Sequence, residues 1–250
     1  LGDRREIAVT KGKIADILEM RGDLDGALWI REEAQLPVFE ALGDRREIAV
    51  TKGKIADILQ MRGDLDGALR FHEEEALPVF EALGDRRSVA VTHRKIGDID
   101  AAKGRLDAAL ARYNSAVEII EPLDAKRDVA VFKGQIADIL QVRGDLDGAL
   151  RIREEAQLPV YEALGDRRSV AVTKGKIADI LQVRGDLDGA LRFHEEAQLP
   201  VFEALGDRRE IAVTKGKIAD ILQMRGDLDG ALWIREEAQL PVFEALGDRR

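Results

Sequence analysis

This chain copies itself. The pentapeptide Leu-Gly-Asp-Arg-Arg begins at Leu1, Leu42, Leu83, Leu164, Leu205 and Leu246, and a variant, Leu-Asp-Ala-Lys-Arg, begins at Leu123. A fixed period of this length marks an array in which one supersecondary unit stacks on the next. Six units fill the chain, at 1–41, 42–82, 83–122, 123–163, 164–204 and 205–245, with the start of a seventh at 246–250; the third has 40 residues where the others have 41. Unit six repeats unit one except that Gln223 replaces Glu19. A globular core needs different residues at different places, so near-identical units point to a single array.

Within one unit the phase of the apolar residues predicts two helices. Ile7, Ile14, Ile17 and Leu18 recur at helical spacing behind Asp3, a side chain suited to accept from the first free N–H groups. Glu6 completes an Asp-x-x-Glu arrangement like a capping box, repeated at Glu47 and Glu210. Gly22 suits a left-handed C-terminal position, and Asp23 is placed to cap a second helix that turns Leu24, Ala27, Leu28, Ala34 and Val38 inward. Gly43 ends that helix and Asp44 caps the next. Connections of about three residues force consecutive helices to pack antiparallel, and each hairpin hides its apolar stripe only against its neighbours.

Five units place a proline inside the second helix, at Pro37, Pro78, Pro159, Pro200 and Pro241. Proline there removes a backbone donor and clashes with the carbonyl four residues back, Glu33 in unit one, at a cost of about 3 kcal/mol. Either the helix kinks, or it stops at Leu36 and restarts with proline in its first turn. The apolar face running through Leu36, Val38, Phe39 and Leu42 favours the kink.

The third unit carries Ile96-Gly97 in its first helix, Gly104 at the turn and Ala109, Tyr113 and Ala116 in the second. This pattern resembles the tetratricopeptide repeat, with two departures: Asp100 stands where the family has an aromatic, and Pro122 comes one place late. The other units replace the small glycine by Ala15 and the aromatic by Arg31 or His72, and look like a longer variant of the repeat. The resemblance covers the chain and implies an all-α, right-handed superhelical α-solenoid that binds a protein or peptide. It also implies an inner face lined by first helices, and an array joined as a docking or sensor arm to a larger protein.

Several function classes are disfavoured. A net charge of −9 argues against a broad nucleic-acid surface or an anionic membrane, and zero cysteines remove disulfides and thiol chemistry, with a lean towards the cytoplasm. No apolar run reaches membrane length. Leu1 is not an initiator Met, so the start is expected to lie inside a longer protein or after a removed segment. Arg21-Gly22-Asp23 and its copies at Arg62, Arg143, Arg184 and Arg225 read as turns, not adhesion motifs. Asp23-Leu24-Asp25-Gly26 lacks the remaining ligands of a calcium loop, and Thr10-Lys11-Gly12-Lys13 lacks the frame of a phosphate loop. His72 and His194 lie three units apart, too far to share a metal at roughly 8–10 Å per packed helix, and read as polar tips on half-buried helices. With no nucleophile set beside a local base, the chain is expected to be neither an enzyme nor a cofactor or metal carrier.

The surface expected to meet a partner is the row Lys13 and Asp16, Lys54 and Asp57, Lys95 and Asp98, Gln135 and Asp138, Lys176 and Asp179, Lys217 and Asp220. The competing expectation is that each Lys and Asp, three apart on one helix, simply pair. Gly12, Gly53, Gly134, Gly175 and Gly216 sit mid-helix, where glycine costs about 1 kcal/mol against alanine; either they permit the close approach of a helix or ligand, or they are inherited from the copied unit. Because the array begins and ends in the same phase without polar caps, end-to-end association into a rod is the alternative function.

Overall fold

A computed structural model describes residues 2–247. Among them are twelve helices in tandem and no strand: α1 (Gly2–Met20), α2 (24–42), α3 (Arg45–Met61), α4 (65–82), α5 (Arg86–Ala102), α6 (Leu106–Ile120), α7 (Lys126–Val142), α8 (146–163), α9 (Arg167–Val183), α10 (187–205), α11 (Arg208–Met224) and α12 (228–246). The chain falls into two compact units, Leu1–Ala125 and Lys126–Arg250.

The connections form as their residues dictate. Gly22 takes φ +81°, Asp23 leaves the helical region, and its Oδ1 accepts from the Gly26 N–H at 2.9 Å. Gly43 takes φ +67°, and Asp44 accepts from the Glu47 N–H. The Arg-Gly-Asp tripeptides are therefore the end of one helix and the cap of the next. Asp3 departs from its expected role: α1 starts at Gly2, which puts Asp3 inside the first turn. Its counterpart Asp44 caps because left-handed Gly43 turns the chain out of the helix first, whereas Gly2 is itself helical.

The proline expectation needs correction, because the chain neither breaks nor simply kinks. In all five proline units a π-helical turn precedes the proline: Ile30–Gln35, Phe71–Ala76, Ile152–Gln157, Phe193–Gln198 and Ile234–Gln239. The Leu36 N–H reaches five residues back to the Arg31 carbonyl, and an α segment resumes at Leu36 with proline in its first turn. The third unit has neither the interior proline nor the π turn, and it is one residue shorter; α6 is regular to Ile120 and ends in a 3₁₀ turn holding Pro122. One inserted residue and one wide turn are the same event.

Core packing crosses from unit to unit. Ala15 of α1, Ala27 of α2 and Ile58 of α3 are wholly buried together, ringed by Leu18, Leu24, Leu28 and Ile30. The set recurs as Ala56, Ala68 and Ile99, as Ala137, Ala149 and Ile180, and as Ala178, Ala190 and Ile221. Each of these four hairpins thus borrows an isoleucine from the next first helix, as a repeat too small for its own core must.

Candidate functional site

The Lys–Asp row is a ladder between units and not a set of pairs within one helix. Lys54 Nζ lies 3.4 Å from Asp16, Lys95 2.5 Å from Asp57, Lys176 3.1 Å from Asp138 and Lys217 2.7 Å from Asp179. A second ladder joins the caps: Arg46 reaches Asp85 at 3.1 Å, Arg127 reaches Asp166 at 2.8 Å and Arg168 reaches Asp207 at 3.0 Å.

The same aspartates also hold the unit's own second helix. Arg31 Nη2 donates to Asp16 at 2.6 Å, Arg153 Nη2 to Asp138 at 2.6 Å, and Arg235 pairs with Asp220. In unit three Tyr113 Oη donates to Asp98 at 2.8 Å, and Arg94 closes on the same carboxylate at 2.5 Å. His72 and His194 fill this position in units two and five, with Nε2 at 3.6 Å from Asp57 and 3.8 Å from Asp179. Sequence reading made them half-buried polar tips. They are 1% and 0% exposed, because the position points into the hairpin where the tetratricopeptide pattern has Tyr113.

The mid-helix glycines have a packing reason. A Cβ on Gly12, Gly134, Gly175 or Gly216 would stand 2.1–2.3 Å from the Nε2 of Gln35, Gln157, Gln198 or Gln239. The carboxamide lies flat on bare backbone. Its oxygen accepts from Arg31 at 3.0 Å, Arg153 at 2.7 Å and Arg235 at 2.7 Å, and sits 2.7 Å from His194 Nδ1. Gln157 Nε2 donates to the Ala130 carbonyl at 3.2 Å. In unit three Gly97 plays the same part for Tyr113, whose Cε1 a Cβ would meet at 2.7 Å. Asp100 and Arg105 depart together: Arg105 replaces the capping aspartate and closes at 2.5 Å on buried Asp100.

Between consecutive first helices a cleft opens at one register in each compact unit. The first, about 240 Å³, lies between α3 and α5 and is lined by Val50, Lys54, His72, Phe80, Val91 and Lys95 among others. The second, about 290 Å³, lies between α7 and α9, with Val131, Gln135, Arg153, Tyr161, Val172 and Lys176 at matching places. Sequence reasoning found Lys54, Lys95, Gln135, Asp138 and Lys176 of these clefts and missed the apolar Val50, Val91, Val131 and Val172 as well as polar residues such as Thr92 and Arg153. The signal of the valines was available, since each sits one turn before a Lys or Gln of the row: Lys54, Lys95, Gln135 and Lys176.

Burial and partners compete at the aspartates. Burial pushes Asp57 up, but His72 and Lys95 beside it outweigh burial and hold the carboxyl below the usual range. At Asp98 burial wins over Arg94, Tyr113 and Lys95, and the carboxyl is raised. Burial lowers the His194 pKa against Gln198 and Asp179. Among the described residues no group of three or more metal-binding side chains comes together, and no helix is long and apolar enough to cross a membrane.

Residues 47–121 match the family model described as Tetratricopeptide repeat. The sequence matches none of the curated proteins. Among solved structures, BtubC (BKLC) from P. vanneervenii is 21% identical, with a TM-score of 0.72 over 88% of this chain and 89% of that one. The STAND protein with a tetratricopeptide repeat sensor from Pyrococcus horikoshii is 16% identical, with a TM-score of 0.59 over 96% of this chain and 43% of that one. A Rap protein complexed with Competence and Sporulation Factor is 13% identical, with a TM-score of 0.63 over 96% of this chain and 75% of that one. At such identities the likeness is one of fold.

Proposed function

We propose that this chain, built of tetratricopeptide-type repeats, is a non-catalytic scaffold that binds a peptide segment of a protein partner along the clefts between its first helices, as the docking or sensor arm of a larger protein. The observation that carries the reading is the recurrence of an apolar-walled cleft with a polar rim at one register, between α3 and α5 and again between α7 and α9. An extended peptide meets such a surface with alternate side chains. The polar rims hold Lys54 and Lys95 in the first cleft and Gln135, Asp138 and Lys176 in the second, and the ladders match these lysines with Asp16, Asp57 and Asp138. Repeats of this kind generally mediate protein–protein contact, and two fold neighbours carry the idea in their names: one has a sensor of these repeats, and another is bound to a factor.

The test is selection of displayed random peptides on the full chain. Val91→Trp and Val172→Trp block the clefts from half-exposed and exposed positions without touching the core. Selected sequences are expected to converge on a motif and to lose binding to the double variant while its helical circular dichroism is kept. Peptides that bind both chains equally overturn the groove.

A further inference from the structure

Four of the five mid-helix glycines are buried under a glutamine, and Gly53 is not. Unit two reads Glu75-Ala76 where unit one reads Ala34-Gln35, so the carboxamide that covers Gly12, Gly134, Gly175 and Gly216 has no counterpart. Glu75 turns away to pair with Lys52. The nearest atom to a Cβ on Gly53 is His72 Cε1, at 3.9 Å, and a hollow remains inside the cleft of about 240 Å³.

We infer that this hollow receives a primary carboxamide, the side chain of a glutamine on the bound peptide. The chain itself shows what such a group meets there. In unit five the carboxamide oxygen sits 2.7 Å from His194 Nδ1, and in unit four the amide nitrogen donates to the Ala130 carbonyl at 3.2 Å. The counterparts in unit two are His72 and Ala49, and both line the hollow. His72 is 1% exposed and its Nδ1 has no hydrogen-bond partner, so a buried polar group waits on the ligand that its sister position holds. A carboxylate fits less well. It brings no N–H for the Ala49 carbonyl, and the cations at the mouth, Lys54 and Lys95, are already matched by Asp16 and Asp57. The walls, Val50, Phe80 and Val91, take the two methylenes.

The assignment rests on the groove reading but is tested apart from it, with the small molecule propanamide on the full chain. The imidazole resonances of the chain's three histidines are followed in an NMR titration. The control is Glu75→Ala with Ala76→Gln, which restores the His-Glu-Glu-Ala-Gln run of unit five and so has a precedent for folding. Propanamide is expected to shift the His72 ring nitrogens saturably in the unmodified chain and not in the double variant, and propionate to bind at least about tenfold more weakly. No saturable shift, an equal response in the variant, or propionate binding as tightly as propanamide overturns the pocket. Should peptides selected on the groove carry no glutamine, this inference fails and the groove stands; should propanamide bind while no peptide does, the reverse holds.

Discussion

At the scale of single residues, Gly53 and Gly175 occupy equivalent places and should respond to one substitution with opposite sign. Gly53→Ala meets no atom closer than 3.9 Å, so it keeps the helix-propensity gain of about 1 kcal/mol and raises the melting temperature. Gly175→Ala puts a Cβ 2.2 Å from Gln198 Nε2; the glutamine is displaced, and buried His194 Nδ1 is left unpaired at about 1–3 kcal/mol, more than alanine returns. Equal melts for the two variants would show that the glutamine does not hold its glycine. The aspartates make a second contrast. Asp57 has a lowered pKa in the fold, so its stabilisation is present above about pH 4 and is lost as pH falls through the folded value. Asp98 has a raised pKa, so ionising it costs the folded state, and that cost is relieved as pH falls. Asp57→Asn should therefore cost more than Asp98→Asn in melts at pH 7, with the gap closing at pH 3. The sequence made these residues visible as a row but mispaired them. Lys and Asp three apart on a helix look like partners, and only packing reveals that the next unit's lysine lies nearer.

At the scale of the element, proline inside a helix is the clearest local conflict in the sequence. It was legible as trouble, and the remedy was legible too in the one-residue difference between unit three and the rest. What periodicity could not give is the form of the remedy, because a wide turn leaves the apolar face continuous on both sides of it. The π turn has already moved the hydrogen bonds to a five-residue reach, as the Leu158 N–H to the Arg153 carbonyl shows. Pro159→Ala therefore returns less than about 1 kcal/mol, well short of the ~3 kcal/mol that relief of a proline in a regular helix would bring. Chemical denaturation of the variant measures the difference, and a gain near the larger figure would mean that proline, not the inserted residue, dictates the turn. The π turn ends on Gln35, Gln157, Gln198 and Gln239, which fall on the glycines, whereas unit three, without the turn, packs Tyr113 from the Arg31 position onto Gly97.

At the scale of the whole chain, twelve helices in tandem follow from a module whose apolar stripe outgrows its own hairpin, and the copied sequence announced this before any geometry. Uniform copying also hid the exceptions that matter most: Glu75-Ala76 replaces Ala34-Gln35 in a unit that otherwise keeps the pattern closely, and its consequence appears only when the neighbouring glycine is seen bare. Because each core cluster takes its isoleucine from the next first helix, stability should be a sum of neighbour terms, and damage should stay where it is made. Ile58→Ala removes a wholly buried side chain shared by α1, α2 and α3 and should cost about 2–5 kcal/mol there. In hydrogen exchange the amides of α1 to α3 should open sooner, while those of α9 to α11, built around Ile180 and Ile221, keep their protection. Ile221→Ala should give the mirror result. If either substitution lowered protection evenly from α1 to α12, the chain would be folding as one cooperative body, and the nearest-neighbour account of its stability would fail.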